Sequence, residues 1–117
     1  MTERPLTTTL RVLPGGHRVL TAVGELDHDT APQLRATLDD VPFGPGSLLV
    51  VDLAQLTYCD STGITVLVTA HQRADAAGGR VTLAGLNHGL NRVFEIVGLD
   101  QFFSIQPTTA DAIRAGA

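Results

Sequence analysis

Alternating apolar and polar residues at the start of the chain predict two β-strands. The first run covers residues 6–13 and the second covers residues 18–23, with Pro14-Gly15-Gly16 between them. Alternation gives a strand two distinct faces, and a Pro-Gly-Gly segment interrupts an extended run. We therefore expect the chain to open with a β-hairpin.

The segment that follows has the signals of a helix start. Thr30 and Gln33 have the spacing of a capping box, and Pro32 falls in the first turn, where its missing N–H leaves no bond unmade. Leu34 and Leu38 then recur at helical spacing. The pattern predicts a first helix that has Thr30 as its N-cap.

A nearly continuous apolar run, Leu48–Leu53, contains Asp52 as its one polar residue. A run that is apolar on both faces is typical of a central strand covered on both sides. A second helix ends at Gly78-Gly79, and we expect Ser61 to cap its start, with Asp60 adding negative charge near its positive end. The residues expected on one face of this helix are Ile64, Leu67, Val68 and His71.

The rest of the chain continues to alternate strand and helix. The pattern predicts a strand at residues 80–84, a helix capped by Asn87 and ended by Gly98, a short strand at Phe102–Ile105 and a last helix at Thr108–Ala115. The third helix is expected to bury a stripe made of Leu90, Val93, Phe94 and Val97. Strand-helix-strand units require parallel crossovers. The chain is therefore predicted to be a single α/β domain, residues 1–117, with a mixed sheet and elements in the order ββαβαβαβα.

Composition narrows the class of protein. Of the 117 residues, 44% are hydrophobic and 17% are charged, which suits a folded domain rather than a disordered chain. The longest strictly aliphatic run, Leu48–Val51, is far too short to cross a membrane, and a net charge of −4 disfavours nucleic acid as a partner. A lone cysteine, Cys59, excludes an intrachain disulfide. We expect a cytoplasmic protein that needs no metal and no cofactor.

The segment Tyr58-Cys59-Asp60-Ser61-Thr62-Gly63-Ile64 is the first candidate for chemistry, because it joins a buried strand to a helix. Ser61 has two interpretations: a helix cap, or a hydroxyl exposed at the carboxyl end of a strand, where α/β proteins place ligand and modification sites. A serine hydrolase fits poorly, since Cys59 stands where the nucleophile elbow needs glycine and no oxyanion-hole glycine run precedes it. We therefore expect that the protein is not an enzyme.

A phosphoaspartate receiver is another alternative, because Asp52 lies near the end of an apolar strand. Receivers, as a family, use a lysine after a late strand, whereas all eight basic residues of this chain are arginine. The chain also opens with a hairpin rather than with a strand and a helix. These differences disfavour a receiver, and Asp52 is expected to bond to nearby backbone at the strand end.

Three segments, in order along the chain, are similar to those of one known family. Residues 24–31 are Gly-Glu-Leu-Asp-His-Asp-Thr-Ala, residues 56–64 contain Asp-Ser-Thr-Gly, and residues 93–99 are Val-Phe-Glu-Ile-Val-Gly-Leu. They resemble the segment after the second strand, the Asp-Ser-(Ser/Thr)-Gly phosphorylation loop and the third helix of anti-sigma factor antagonists, which belong to the STAS domain family. The resemblance implies a STAS-like mixed β-sheet packed against helices.

The same resemblance implies a function. Ser61 would be phosphorylated by a partner anti-sigma factor, itself an ATP-dependent serine kinase, and a separate phosphatase would remove the phosphate. The unphosphorylated form would bind the anti-sigma factor and so release a sigma factor, and phosphorylation would block binding. The residues expected to form the partner-binding surface are Gly24, Glu25, Asp27, His28, Asp60, Ser61, Thr62, Gly63 and Ile64. The alternative is a STAS-type scaffold or transport-system component without a phosphorylation switch.

Overall fold

Five strands form one sheet and four helices pack against it in the computed structural model, which describes residues 6–116. The strands are β1 (Thr7–Val12), β2 (Arg18–Leu26), β3 (Leu48–Cys59), β4 (Arg80–Ala84) and β5 (Ser104–Gln106). The helices are α1 (Ala31–Asp39), α2 (Ser61–Ala76), α3 (His88–Ile96) and α4 (Thr109–Gly116). The order ββαβαβαβα confirms the predicted α/β class. Within this part of the chain, no helix has both the length and the apolar character that crossing a bilayer requires.

The strands lie side by side in the order of the chain. β1 and β2 pair antiparallel, with Leu10 opposite Leu20, which confirms the opening hairpin. The pairs β2–β3, β3–β4 and β4–β5 are parallel, as crossovers through helices require. The carboxyl ends of β2 and β3 consequently lie together at one edge of the sheet, where the chain enters α1 and α2.

β3 lies at the centre of the sheet and is covered on both faces. Leu49 and Val51 belong to a core that α1, α2 and α3 complete, whereas Leu48 and Val50 belong to a second core with Ala112 of α4. Neighbouring side chains of a strand point to opposite faces, so a continuous apolar run fills both cores. The predicted central strand is confirmed.

β3 is longer than its apolar run, since it continues as far as Cys59. β2 and β3 remain paired through this polar stretch because their register shifts twice. The shifts lie between Thr21 and Val23 and between Gly24 and Glu25 of β2, as at a β-bulge. The predicted strand end at Leu53 was therefore too early. The residues after Leu53 pair with β2 through shifted register, and such pairing leaves no hydrophobic alternation in the sequence. The extension places the start of α2 beside the end of β2.

Asp52 consequently lies inside a strand, so its predicted place at the strand end was wrong. Its Oδ1 accepts a hydrogen bond from the N–H of Ala54 at 3.0 Å, which confirms the expected bond to nearby backbone. The half-buried carboxylate therefore satisfies part of its hydrogen-bonding capacity within its own strand.

The C-terminal third departs from the predicted pattern at the start of its last strand and on one face of its third helix. Phe102 and Phe103 lie before β5 rather than in a strand, and Phe102 is 40% exposed. Leu90 and Phe94, one helical turn apart, are the α3 side chains that enter the core. Val93 and Val97 occupy the neighbouring row and are 40% and 56% exposed, so the predicted stripe is only half buried.

α2 approaches the sheet so closely at Gly63 that a side chain has no room there. A Cβ atom at this position would lie 2.5 Å from Leu26 Cγ and 3.1 Å from Cys59 Sγ. Leu26 is completely buried, so it has little freedom to move away in a close-packed core. Glycine thus allows α2 to begin directly over the ends of β2 and β3.

We predict that Gly63→Ala destabilises the fold by about 1–3 kcal/mol, because overpacking at Leu26 outweighs the better helix propensity of alanine. Gly89→Ala in α3 is the matched control: its Cβ would meet nothing closer than Asn87 Oδ1 at 3.5 Å. The control should be neutral or stabilising by up to about 1 kcal/mol. Urea denaturation measures both changes, and equal midpoints for the two variants would contradict the packing argument.

The thiol of Cys59 lies beneath the same glycine. Burial, followed by the negative charge of Asp60, raises the pKa of the Cys59 thiol from 9.0 to about 12. Both effects disfavour the thiolate, and the thiolate is the reactive form of cysteine. The Sγ atom is 3.6 Å from the carbonyl oxygen of Asp60, so the protonated thiol also has an acceptor.

We predict that native Cys59 reacts very slowly with thiolate-selective reagents at pH 8. A pKa about three units higher than in the unfolded chain makes the thiolate fraction about a thousandfold smaller. The unfolded thiol ionises first as the pH rises above 9.0, so stability should fall from that pH towards about pH 12. Labelling rates with and without urea check the first expectation, and denaturation of Cys59→Ala, which should lose this pH dependence, checks the second. Equal labelling rates would show that the thiol is not protected.

Candidate functional site

Two loops meet at the carboxyl ends of β2 and β3. Leu26 ends β2 and pairs with Cys59, the last residue of β3. The N–H of Asp60 then donates to the carbonyl oxygen of Leu26 at 3.1 Å. The loop after β2, residues 27–30, is therefore held beside the first residues of α2, so two segments that are distant in the sequence form one site.

The carboxylate of Asp60 joins these two loops. Its Oδ1 accepts a hydrogen bond from the N–H of Gly63 at 3.0 Å, and its Oδ2 accepts one from the N–H of His28 at 3.2 Å. The expectation that Ser61 caps α2 was wrong, because Asp60 is the N-cap and Ser61 is the first helical residue. Aspartate suits this position since its two oxygens serve a helix and a neighbouring loop at the same time.

Asp27 and Thr30 hold the β2–α1 loop together from within. Asp27 Oδ1 accepts from the N–H groups of Asp29 and Thr30 at 2.9 and 3.0 Å. The Thr30 hydroxyl donates to the carbonyl oxygen of Glu25 at 2.8 Å and accepts from the N–H of Asp27 at 2.9 Å. Thr30 is the N-cap of α1, as predicted, but the predicted capping box was wrong, since the side chain of Thr30 makes no cap bond to α1. These bonds give the loop one defined shape.

A bulge positions the start of this loop. Gly24 has a φ angle of +116°, which residues with a side chain rarely adopt. Its carbonyl oxygen accepts a hydrogen bond from the Thr57 hydroxyl at 3.1 Å, and the strand register shifts between Gly24 and Glu25. Glu25 is half-buried next to the loop. Sequence reasoning missed the contribution of Thr57, because the residue lies in a polar stretch that was not predicted to be a strand.

Ser61 is exposed at the start of α2. Its carbonyl oxygen accepts from the Thr65 hydroxyl at 2.9 Å, whereas its own hydroxyl makes no hydrogen bond within the described residues. Thr62 and Ile64 are half-buried, and Gly63 is buried. Gly63 therefore contributes to the site by bringing α2 close to the sheet, and Ser61 is the open residue of this segment.

An exposed hydroxyl at a helix N-terminus is well placed to carry an anion. α2 has 16 residues, and the partial positive charge at its start favours a phosphate by about 0.3–2 kcal/mol. A phosphate on Ser61 would add about −1.5 to −2 charges at neutral pH. Since the Ser61 side chain is on the surface, the modification would displace no core residue. The geometry suits a charge-adding modification that leaves the fold intact.

The chain is similar to known proteins over most of its length. The family model described as "Mlab, STAS domain" matches residues 11–107. An anti-sigma-B factor antagonist from Listeria monocytogenes is 34% identical over 90 residues, which make up 77% of this chain and 79% of that protein.

Solved structures share the fold. An anti-sigma factor antagonist from Mycobacterium paratuberculosis superimposes with a TM-score of 0.79 at 28% identity, covering 94% of this chain and 92% of that one. The Bacillus cell fate determinant SpoIIAA, solved in its phosphorylated form, superimposes with a TM-score of 0.69 at 22% identity, covering 95% of this chain and 100% of that one. From the element order, the match over residues 11–107 and the identity to the Listeria protein, we conclude that this chain belongs to the STAS domain family.

Proposed function

We propose that this protein is an anti-sigma factor antagonist that phosphorylation of Ser61 switches off. The unphosphorylated form binds an anti-sigma factor and thereby frees a sigma factor. The partner transfers phosphate to Ser61 through its serine kinase activity, which ends the interaction, and a phosphatase restores the binding form. The protein acts by binding and not by catalysis, and it works in the cytoplasm, where its partners control transcription.

One observation carries this proposal: the Ser61 hydroxyl is exposed at the start of α2, beside the loop of residues 27–30. A kinase needs access to such a hydroxyl, and a partner that covers this corner of the sheet would cover the hydroxyl as well. The names of the Listeria and Mycobacterium proteins support an anti-sigma factor as that partner. The phosphorylated form of SpoIIAA supports the view that this fold accepts a phosphate.

Electrostatics explains why phosphorylation would end binding without unfolding the protein. In the free protein, water surrounds the phosphate and the start of α2 favours it. In a complex, the phosphate would have to lose water beside the carboxylate of Asp60. At an effective dielectric constant of about 20, a dianion and a unit charge about 6 Å apart repel by roughly 5 kcal/mol before salt screening. Since about 1.4 kcal/mol changes affinity tenfold, even a third of this repulsion would weaken the complex greatly.

Asp60 cannot easily reduce this repulsion by moving away. Its two carboxylate oxygens are each held by a backbone N–H, one from Gly63 and one from His28. Moving the side chain would break the cap of α2 and release the neighbouring loop. The carboxylate of Asp60 is therefore held in place next to Ser61.

We predict that Ser61→Asp lowers the affinity for the cognate anti-sigma factor at least tenfold, whereas Ser61→Ala changes it less than about threefold. The Asp variant introduces negative charge where the phosphate would lie, and both variants alter an exposed position. Isothermal titration calorimetry with the purified partner measures the difference. Ala110→Asp is the matched control, because it adds an aspartate to the first turn of α4, which packs on the opposite face of the sheet; it should bind normally.

Equal binding by Ser61→Asp and Ser61→Ala would contradict the switch. That result would favour the alternative, a STAS-type scaffold or transport-system component whose assembly does not depend on phosphorylation. Incubation with the cognate kinase and ATP, followed by mapping of the phosphate by mass spectrometry, tests the modified residue directly. The label should appear on Ser61 and be lost in Ser61→Ala, and a label on another residue would overturn the assignment.

We further predict that Asp60→Asn reduces the inhibitory effect of the phosphate. Asparagine is also a good N-cap, so the helix start should persist while the negative charge is removed. The ratio of the partner's Kd for phosphorylated and unphosphorylated protein should fall at least threefold relative to the wild-type ratio. Circular dichroism and urea denaturation verify that the variant is folded. An unchanged ratio would show that the Asp60 charge has no part in the switch.

A further inference from the structure

The two edges of the sheet differ in how well they are protected from pairing with another chain. β5, at one edge, has three residues and is followed by Pro107. A short strand and a nearby proline are both features that keep an edge from adding a further strand. β1, at the other edge, has six residues, and none of them is proline. The β1 edge is therefore the one at which a further strand can add.

The hairpin shows which backbone groups of β1 face away from the sheet. The N–H of Leu13 donates to the carbonyl oxygen of His17 at 2.7 Å, directly after the paired residues of β1 and β2. In an antiparallel pair, every second residue exchanges hydrogen bonds with the neighbouring strand. Counting back in twos from Leu13, the residues that bond to β2 are Thr7, Thr9 and Arg11. The residues whose N–H and C=O groups point outward are Thr8, Leu10 and Val12.

The side chains of these outward-bonding residues share one face of β1. Thr8 Oγ1 lies 2.8 Å from Thr37 Oγ1 of α1, and Leu10 packs against the main core. Val12 lies on the same face by strand alternation, but it is 62% exposed. An exposed apolar side chain beside outward-facing N–H and C=O groups favours the addition of another strand at this edge.

A second copy of β1 matches this edge when the two strands run antiparallel about a two-fold axis at Leu10. Leu10 would then pair with Leu10 of the second copy, and Thr8 would pair with Val12 on either side of the axis. Each pair would exchange two backbone hydrogen bonds, so this register uses every outward-bonding residue of both strands. Val12 would lie directly beside Thr8 of the second copy, whose methyl group would cover part of its exposed surface.

The charge on β1 also favours this register. Arg11, the one charged residue of the strand, would lie opposite Thr9 of the second copy. An axis at Arg11 would instead place two arginines opposite each other, and like charges in a cross-strand pair are unfavourable. An axis at Thr9 would leave the outward groups of Val12 without a partner. The strand is therefore complementary to itself in one register, which argues for a second copy as the occupant.

We propose that two copies of this protein pair through β1 and form a dimer with one continuous ten-stranded sheet. The centre of the interface, Leu10, lies opposite Leu20, and β2 continues to Leu26. The Ser61 site is therefore about 20 Å from the two-fold axis and stays open in the dimer. The dimer is independent of the proposed function. One strand pair is a small interface compared with the roughly 1,200–2,000 Å² of stable complexes, so we expect a dissociation constant of about 0.1 mM.

Sedimentation equilibrium of the full chain between about 10 µM and about 1 mM tests the proposal. The weight-average mass should rise from 12.3 kDa towards that of a dimer. Val12→Lys should raise the dissociation constant at least tenfold, because a lysine on an edge strand opposes pairing. Ile96→Lys is the matched control, since it changes an apolar residue of α3 that is 73% exposed; this variant should dimerise normally.

The outcomes that would overturn the dimer are distinct from those that would overturn the phosphorylation switch. Ser61→Asp should dimerise like the wild type, because Ser61 lies far from β1. A wild-type protein that stays monomeric at about 1 mM would contradict the proposal. A dimer that Val12→Lys leaves unchanged, or that Ile96→Lys disrupts, would place the interface elsewhere and would contradict it as well.

Amide hydrogen exchange measured by NMR tests the register. Exchange at the outward-facing amides of Thr8, Leu10 and Val12 should slow about threefold between about 50 µM and about 1 mM, because the dimer forms by mass action. The amides of Thr9 and Arg11 already face β2 and should change much less. Equal slowing at both sets of amides, or no slowing at the outward-facing set, would contradict pairing through β1.

Discussion

The candidate site depends on one carboxylate that accepts hydrogen bonds from two separate parts of the backbone. Asp60 caps α2 through the N–H of Gly63 and holds the β2–α1 loop through the N–H of His28. Without this side chain, the backbone bond from Asp60 to Leu26 would remain, but the loop of residues 27–30 would lose its hydrogen bond to the Asp60 carboxylate. The same residue supplies a fixed negative charge next to Ser61, so the group that builds the site also makes it sensitive to added charge.

Packing beneath the site restricts the sequence in a different way. Gly63 lies against Leu26 and Cys59 so closely that a Cβ atom would overlap Leu26. This contact places the start of α2 directly over the ends of β2 and β3, which brings Asp60 within reach of the loop. Hydrogen bonding and packing therefore support the same geometry, and neither acts through the exposed Ser61 hydroxyl.

The sequence predicted the order of strands and helices well, because apolar runs and glycine stops depend on residues that are close together in the chain. The apolar run Leu48–Leu53 and the glycines that end the helices led to the right element order, and the two loops that the sequence singled out lie side by side. The errors concern the helix caps, where more than one nearby side chain can accept the hydrogen bond from the first turn. Thr30 has the chemistry of a cap, but its hydroxyl bonds to Glu25 and Asp27 instead. Asp60 and Ser61 are both good caps, and only the position of the neighbouring loop explains why Asp60 takes that place.

Long-range pairing limited what the sequence could indicate. The extension of β3 to Cys59 follows from a bulged register with β2, and the contribution of Thr57 follows from its bond to Gly24 on that strand. Neither has a periodic signature, since a bulge breaks the period that such predictions use. The exposure of Val93 and Val97 in α3 could not be predicted for a similar reason. The spacing of apolar residues along a helix does not show which of them a neighbouring element covers.

The arrangement separates the residues that stabilise the fold from the residue proposed to be modified. Leu26 and Gly63 are buried whereas Ser61 is exposed, so a phosphate on Ser61 would not need to displace either of them. The free energy that the proposed phosphorylation adds would therefore fall on any complex that covers Ser61 and not on the domain. A switch built in this way can be strong without making the protein unstable, because the exposed hydroxyl is joined to the core only through the backbone of α2.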